Sequence, residues 1–112
     1  MITVYVKHYL TVEGQKYLKN TWFESVKNII SKQPGYISIK HDVQKDNDDC
    51  INIIVKFANE ATLEDWVKHP AHDPFVNNLD QYRSRNYWEV ARTKNEEVIF
   101  SELNWEKIKS KW

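Results

Sequence analysis

The chain has 112 residues, of which 41% are hydrophobic and 29% are charged, and this fits one globular domain rather than two of ordinary size. Sixteen Lys and Arg residues balance sixteen Asp and Glu residues, so no net charge favours nucleic acid or an anionic membrane as a partner. The single cysteine, Cys50, excludes an internal disulfide and a paired-thiol motif.

The first residues and the hydropathy indicate a cytoplasmic protein. The sequence opens MITVYV, without the basic and apolar regions of a secretion signal, and no apolar run is long enough to span a bilayer. Five tryptophans, six tyrosines and four phenylalanines are more aromatic area than so small a core readily buries. We therefore expect part of this aromatic surface to contact a partner chain or a ligand.

Alternating residue types predict a strand at the start of the chain. One face of this strand is apolar apart from a single histidine and carries Ile2, Val4, Val6, His8 and Leu10. Spacings of three and four then predict an amphipathic helix with the apolar stripe Leu18, Trp22, Val26, Ile29 and Ile30. Pro34 and Gly35 end this helix, because proline cannot continue it and glycine accepts a left-handed turn.

A hairpin, two further helices and a last strand follow. The segments YISIKHDV and CINIIVKF, joined by a short polar loop, predict two antiparallel strands. Asn59 is the predicted N-cap of a second helix, which Pro70 ends near Lys68 or His69. Pro74 fits the first turn of a short helix, and NYWEVAR alternates as a fourth strand.

The order strand, helix, strand, strand, helix, strand predicts an α+β fold over residues 1–94. It is the ferredoxin-like split βαβ arrangement, an antiparallel sheet with its helices on one face. The other face carries Tyr5 and Tyr9, too apolar to leave in water and too polar for a core. We therefore expect a homodimer formed by stacking of two sheets, with an exposed monomeric sheet as the alternative.

Residues 95–112 form a separate C-terminal extension. Val98 to Phe100 predict a short strand, and the helical spacing of Trp105, Ile108 and Trp112 predicts a short helix. This extension is expected to pack on its own domain or on the partner subunit.

Several segments from residue 2 to about residue 92 resemble the antibiotic biosynthesis monooxygenase family. They are the opening strand followed by VEG, the segment QPGYISI, and above all FANEATLEDWVKHPAHDPF. The resemblance implies a dimeric α+β barrel with a pocket between the sheet and its helices. It also implies chemistry without flavin, haem or metal, in which a phenol or quinol is deprotonated and its anion reacts with dioxygen.

Two histidines are the candidate catalytic residues on such a fold. His72 lies where the pocket mouth is expected, and a largely neutral imidazole can accept a proton at pH 7; the alternative is a histidine that only caps a helix end. His8 must point to the helix-covered side of the sheet, where it needs a partner. It either lines the pocket or is a core histidine bonded to a backbone carbonyl.

The candidate substrate-binding residues are aromatic side chains and one further histidine: Trp66, His69, Phe75, Trp22 and Phe23. For the tryptophans and phenylalanines the alternative is ordinary core packing, and for His69 it is capping of the helix end. Tyr87 and Trp88 point to opposite faces of the last strand, so one is expected to serve the pocket and the other the dimer. Arg83 and Arg85 are either phenolate ligands or solvated surface residues.

Metal and haem sites are not predicted. His69, His72 and Asp73 are close in sequence, but Pro70 breaks the helix that would align the rings and no third ligand is placed. The haem-degrading branch of the family has a histidine about ten positions after the tryptophan, where this chain has Val76 and Asn77.

The sequence thus favours a monooxygenase or quinol oxidase that needs no cofactor and acts on a small aromatic compound with dioxygen, with a pocket histidine as general base. The alternatives are a haem-degrading monooxygenase and a non-catalytic, dimeric ligand-binding module of a stress response.

Overall fold

The computed structural model describes residues 1–43, 48–95 and 98–109. Its strands are β1 (Ile2–Tyr9), β2 (Tyr36–Val43), β3 (Cys50–Phe57), β4 (Tyr87–Thr93) and β5 (Glu106–Lys109). Its α-helices are α1 (Val12–Tyr17), α2 (Phe23–Ile30), α3 (Glu60–Val67) and α4 (His72–Asn77). The loop between β2 and β3, predicted as a short polar connection, lies largely outside the described residues.

All neighbouring strands of the sheet are antiparallel, in the order β2-β3-β1-β4-β5. The first four strands in this order are those of the ferredoxin-like arrangement, which confirms the predicted fold class. β1 is central, and its residue Val4 lies opposite Val55 of β3 and Arg92 of β4. The side chains of Val4, Val55 and Arg92 therefore face the same side of the sheet.

The first predicted helix forms in three continuous parts. α1 leads into a π-helical turn (Leu18–Trp22), which leads into α2. The Thr11 hydroxyl accepts a hydrogen bond from the Gly14 N–H at 3.2 Å and caps the start. After α2, Gly35 has a φ of 80°, and a Cβ there would lie 2.4 Å from the Thr62 hydroxyl. The turn that returns the chain to the sheet therefore requires glycine at this position.

The second predicted helix also has the expected ends. The Asn59 side chain accepts a hydrogen bond from the Thr62 N–H at 2.9 Å, and α3 ends at Val67 with Lys68 as its C-cap. Pro74 lies in the first turn of α4, as predicted. α4 and α3 meet at the bend that contains Pro70.

The main core lies between the sheet and the helices. Its fully buried side chains come from both layers and include Ile2, Leu18, Ile30, Ile51, Phe57 and Leu79. Among the described residues the α-helices pack on one face of the sheet, as the sequence predicted, and the other face, called below the face without helices, carries no α-helix. Within the described residues, no helix is both long and apolar enough to cross a membrane.

The C-terminal extension departs from the prediction. Val98 and Ile99 form no strand, Phe100–Glu102 form a short 3-10 helix, and residues 106–109 form strand β5 instead of a helix. A helix would place Trp105 and Ile108 on one side, whereas the chain divides them between the two faces of the sheet. The predicted contribution of Trp112 lies outside the described residues.

The extension packs on its own domain in this structure. On the face without helices, the Lys7 ammonium lies 4.0 Å from the centre of the Trp105 ring, and Phe100 contacts Tyr5 at 5.3 Å between ring centres. On the helix-covered face, Ile108 lies opposite Trp88. The extension therefore adds β5 to the sheet beside β4 and contacts both faces of the sheet at this edge.

Candidate active site

A cavity of about 450 Å³ lies between the helix-covered face of the sheet and the helices. This volume is within the range of small-molecule sites, roughly 300 to 1,000 Å³. Most of its lining is aliphatic or aromatic, and a few polar side chains interrupt this surface. The polar and charged lining residues are His8, His72, Asp73, Asn77, Asp80, Arg92 and Lys109.

The floor of the cavity follows from strand alternation. Every second residue of β1 and β4 points to this face, which gives Val4, Val6 and His8 from β1 and Trp88, Val90 and Arg92 from β4. β5 adds Ile108 beside Trp88 at the edge. The centre of the floor is thus apolar. His8 of β1 lies at one end, and Arg92 of β4, which is paired with Val4, lies at the other.

The roof is formed by the helices, and a tryptophan joins two of them. Trp22, at the end of the π-helical turn, lines the cavity and donates its indole N–H to the Phe75 carbonyl of α4 at 2.8 Å. Trp66 of α3 is buried and forms a further part of the roof. Three of the predicted substrate-binding residues, Trp22, Trp66 and Phe75, therefore line one space.

His72 lies at the start of α4 on the lining of the cavity. Its Nδ1 is 3.0 Å from Oδ1 of Asp73, and its ring contacts Trp66 edge to face with 5.6 Å between the ring centres. A carboxylate only accepts hydrogen bonds, so Nδ1 carries the proton and Nε2 keeps a free electron pair. The side chain is 26% exposed, so His72 borders both the cavity and solvent.

His8 lines the same cavity but is only 3% exposed. Its ring lies between Trp22 and Trp88, at 6.1 and 6.5 Å between ring centres, and its Nδ1 is 3.2 Å from Nη1 of Arg83. Burial, and after it the charge of Arg83, lowers the pKa of His8 to about 3. At neutral pH this imidazole is uncharged and is a very weak base.

Two predicted binding residues lie outside the cavity lining. The Nδ1 of His69 accepts a hydrogen bond from the Ala71 N–H at 3.0 Å, and its ring packs against Trp66. The ring therefore stabilises the turn after α3, which differs from the capping of the helix end that was the alternative for His69. Phe23 is buried between α2 and β2, where it contacts the ring of His41 at 4.6 Å. Neither side chain is placed to touch a molecule in the cavity.

The structure resolves which residue of β4 serves each face. Trp88 lines the cavity, while Tyr87 packs against Tyr9 on the face without helices, at 5.4 Å between ring centres. Arg85 also lies on that side, bonded to Asp49 and stacked on Tyr9. Arg83 is buried behind the cavity, with its guanidinium 4.3 Å from the Trp88 ring centre.

Three further residues of the site had no role assigned from the sequence. The sequence shows that Asp73 directly follows His72, but it does not show the hydrogen bond between Asp73 and the His72 ring. Arg92 lines the cavity and bonds to Glu64 of α3, and this contact lowers the pKa of the Glu64 carboxyl group. Ile108 was assigned to a helix. Its place in the cavity wall depends on pairing of β5 with β4, which no local pattern shows.

In the part of the chain that the structure describes, no three His, Cys, Asp or Glu side chains are grouped as a metal site would need. Val76 and Asn77, the two positions at which the family resemblance led us to look for a haem-branch histidine, both line the cavity.

Residues 1–78 match the sequence model of the antibiotic biosynthesis monooxygenase family. The chain belongs to this family. No curated protein matches the chain in sequence. The family match covers β1 to α4 and so contains the roof and the part of the cavity lining that comes from β1, β2 and β3, whereas β4 and β5 follow it.

Several solved structures share the fold at low sequence identity. A putative antibiotic biosynthesis monooxygenase from Deinococcus radiodurans is 10% identical, with a TM-score of 0.73 over 88% of this chain and 96% of that chain. SnoaB, a cofactor-independent oxygenase from Streptomyces nogalater, is 12% identical, with a TM-score of 0.70 over 88% and 96%. A conserved protein from Methanosarcina mazei is 15% identical, with a TM-score of 0.73 over 85% and 92%.

Proposed function

We propose that this protein is an oxygenase or oxidase of flat phenolic or quinol compounds that uses dioxygen without a cofactor, with His72 as its general base. The observation that carries the proposal is the position of His72. The pair formed by His72 and Asp73 stands at the edge of an apolar, tryptophan-walled cavity large enough for a small aromatic molecule. Membership of the family and the fold shared with SnoaB support the same reaction class.

The bond to Asp73 prepares His72 to accept a proton. Because the Nδ1–H of the neutral His72 ring donates to Asp73, the electron pair of Nε2 is free for a substrate hydroxyl. The rings of Trp66 and Trp22 offer flat surfaces that can orient an aromatic ring beside it. Phe75 contributes a third aromatic side chain to this substrate site. His8 belongs to the site as an uncharged residue and not as a second base.

The reaction balances with dioxygen as the only oxidant. Removal of a hydroxyl proton gives a quinol anion, which passes electrons to dioxygen. In the oxidase form, two electrons and two protons leave the quinol, and the products are a quinone and hydrogen peroxide. In the monooxygenase form, four electrons are transferred, one oxygen atom enters the ring to give a hydroxyquinone, and the other leaves as water.

A second copy of the chain is proposed to cover the face of the sheet without helices, as the sequence predicts. Tyr5, Tyr9 and Tyr87 lie on this face, and in the single chain Phe100 and Trp105 cover part of it. The cavity is on the opposite face, so the dimer would leave it open to substrate.

The proposal is tested by oxygen uptake with a panel of benzoquinols and naphthoquinols. Addition of catalase distinguishes the two forms, since it returns half of the consumed oxygen if hydrogen peroxide is the product and none if it is water. His72→Ala should lower kcat at least about a hundredfold, as expected for loss of a general base. His41→Ala is the matched control, because His41 packs on Phe23 away from the cavity and its loss should leave kcat unchanged.

Three results would contradict the proposal. The whole panel could be inactive, which would favour a ligand-binding module. His72→Ala could retain full activity, which would remove the assigned base. Titration with haem could shift the haem absorption band and yield open-ring products on reduction, which would favour the haem-degrading alternative.

A further inference from the structure

Arg83 is a buried residue whose hydrogen bonds join three parts of the site. It is only 6% exposed, and its Nε donates to Oδ1 of Asp80 at 2.7 Å. Its Nη2 donates to the Val76 carbonyl of α4 at 3.3 Å, and its Nη1 lies 3.2 Å from Nδ1 of His8. The guanidinium plane also stacks on Trp88. These contacts leave Arg83 behind the cavity wall rather than in the cavity.

The chemistry of a guanidinium decides the tautomer of His8. A guanidinium has donors and no acceptor, so Nδ1 of His8 must be the acceptor in this contact. The single proton of the neutral imidazole is then on Nε2. A second proton would place a positive charge against Arg83 in a buried site, which burial and that charge both oppose.

The Nε2–H group of His8 has no hydrogen-bond partner among residues 1–43, 48–95 and 98–109. The residue is 3% exposed, and it lines the cavity. This nitrogen is not one of the fully enclosed side-chain atoms that lack a partner, so it reaches the surface of the cavity. An N–H group at the surface of a largely apolar cavity is satisfied by a water molecule or by a ligand in that cavity.

We propose that Asp80 and Arg83 are positioning residues that hold His8 as a fixed hydrogen-bond donor, and that the cavity ligand presents an acceptor oxygen, a carbonyl or phenolate, to His8. This deepens the proposed function by giving the two histidines opposite roles. His72 removes the hydroxyl proton, and His8 stabilises an oxygen on which negative charge develops. The donor role requires only a ligand with such an oxygen and would hold for a non-catalytic binding protein as well.

The tautomer can be measured directly on the unaltered protein. Histidine labelled with 15N gives a pyridine-like shift for an unprotonated ring nitrogen and a pyrrole-like shift for a protonated one. His8, assigned by comparison with His8→Asn, should show a pyridine-like Nδ1 and a pyrrole-like Nε2. Both shifts should stay constant from about pH 5 to pH 8. Arg83 contacts this ring directly, and the other charged or titratable groups of the cavity are Asp80, His72, Asp73, Arg92 and Lys109.

Ligand binding tests the donor without any need for turnover. 1,4-Naphthoquinone and naphthalene have the same ring system and differ in the two carbonyl oxygens. The wild-type protein should bind the quinone about tenfold more tightly, the size of one hydrogen bond to a buried donor. His8→Asn should lose this preference, because the Asn carbonyl can replace Nδ1 as the acceptor for Arg83 while no N–H remains at the Nε2 position.

Substitution of the two arginines separates positioning from a general effect of charge. Arg83→Met should release the tautomer, so that the Nδ1 and Nε2 shifts move towards each other and the preference for the quinone falls severalfold. Arg85→Met is the matched control, since Arg85 pairs with Asp49 on the other face of the sheet, and it should change neither result. If Arg83→Met does not fold, two measurements still test the proposal. They are the tautomer of His8 in the wild-type protein and the relative affinity of His8→Asn for naphthoquinone and naphthalene.

The proposal is overturned if the wild-type Nδ1 carries the proton, if His8 titrates between about pH 5 and pH 8, or if quinone and naphthalene bind equally. An inactive protein that shows the Nε2–H tautomer and the quinone preference would refute the oxygenase function alone. An active protein with the other tautomer would refute the positioning role alone.

Discussion

Lowering the pH from about 7 to about 5 should destabilise this protein through His8. The pKa of the imidazole is about 3 in the fold, against 6.5 in the unfolded chain. Below pH 6.5 the unfolded state therefore binds a proton that the folded state does not, and stability is lost as the pH falls towards 3. The loss reaches about 2 kcal/mol at pH 5, and this size holds for any folded-state pKa below about 4.

Urea unfolding of the wild type and of His8→Asn at the two pH values isolates this effect. Asparagine does not titrate, and its side-chain carbonyl can still accept the hydrogen bond from Arg83, so Asp80 and Arg83 keep their environment. All other carboxylates and histidines are common to both proteins and cancel in the comparison. The free energy of unfolding of the wild type should fall by about 2 kcal/mol more than that of the variant.

Equal losses in the two proteins would refute the reasoning, because they would mean that His8 has a similar pKa in the folded and unfolded states. A larger loss in His8→Asn would refute it more strongly, since it would mean that protonation of His8 stabilises the fold. The slopes of the unfolding curves should match between the proteins, which shows that the same surface is exposed on unfolding.

Two further changes probe the cavity. Asp73→Asn should lower kcat by no more than about fivefold, because Asp73 is 84% exposed and an exposed ion pair contributes little to the orientation of the His72 ring. A hundredfold loss would show that the carboxylate takes part in proton transfer. Ile108→Ala should enlarge the cavity at the β5 edge and raise kcat/KM for naphthoquinols relative to benzoquinols by about tenfold, whereas an unchanged ratio would place the substrate away from β5.

The fold was predictable because each of its main elements has a local cause. Alternation of apolar residues marks β1, β2 and β4, and the β-branched run CINIIVKF marks β3. The spacing of Leu18, Trp22 and Val26 marks the long helix, and the Asn59 cap marks the start of α3. The extension was predicted wrongly because Trp105 and Ile108 fit helical spacing and strand pairing equally well. The choice between these depends on contacts with Lys7 and Trp88, which are distant in sequence.

The sequence predicted where the site lies, but it did not predict which nitrogen of each histidine carries the proton. Strand alternation placed His8 on the helix-covered face, and the family resemblance placed Trp66 and His72 in one pocket. Both histidines were catalytic candidates, but only His72 was given a specific role, that of the base. What separates them is the partner of Nδ1. For His72 the partner is the neighbouring carboxylate, which leaves Nε2 as an acceptor. For His8 it is a guanidinium 75 residues away, which makes Nε2 the donor. Two identical side chains in one cavity are thus given opposite roles by the partner of Nδ1. For His8, whose partner Arg83 is buried, removal of that charge should alter the role even if the histidine is kept.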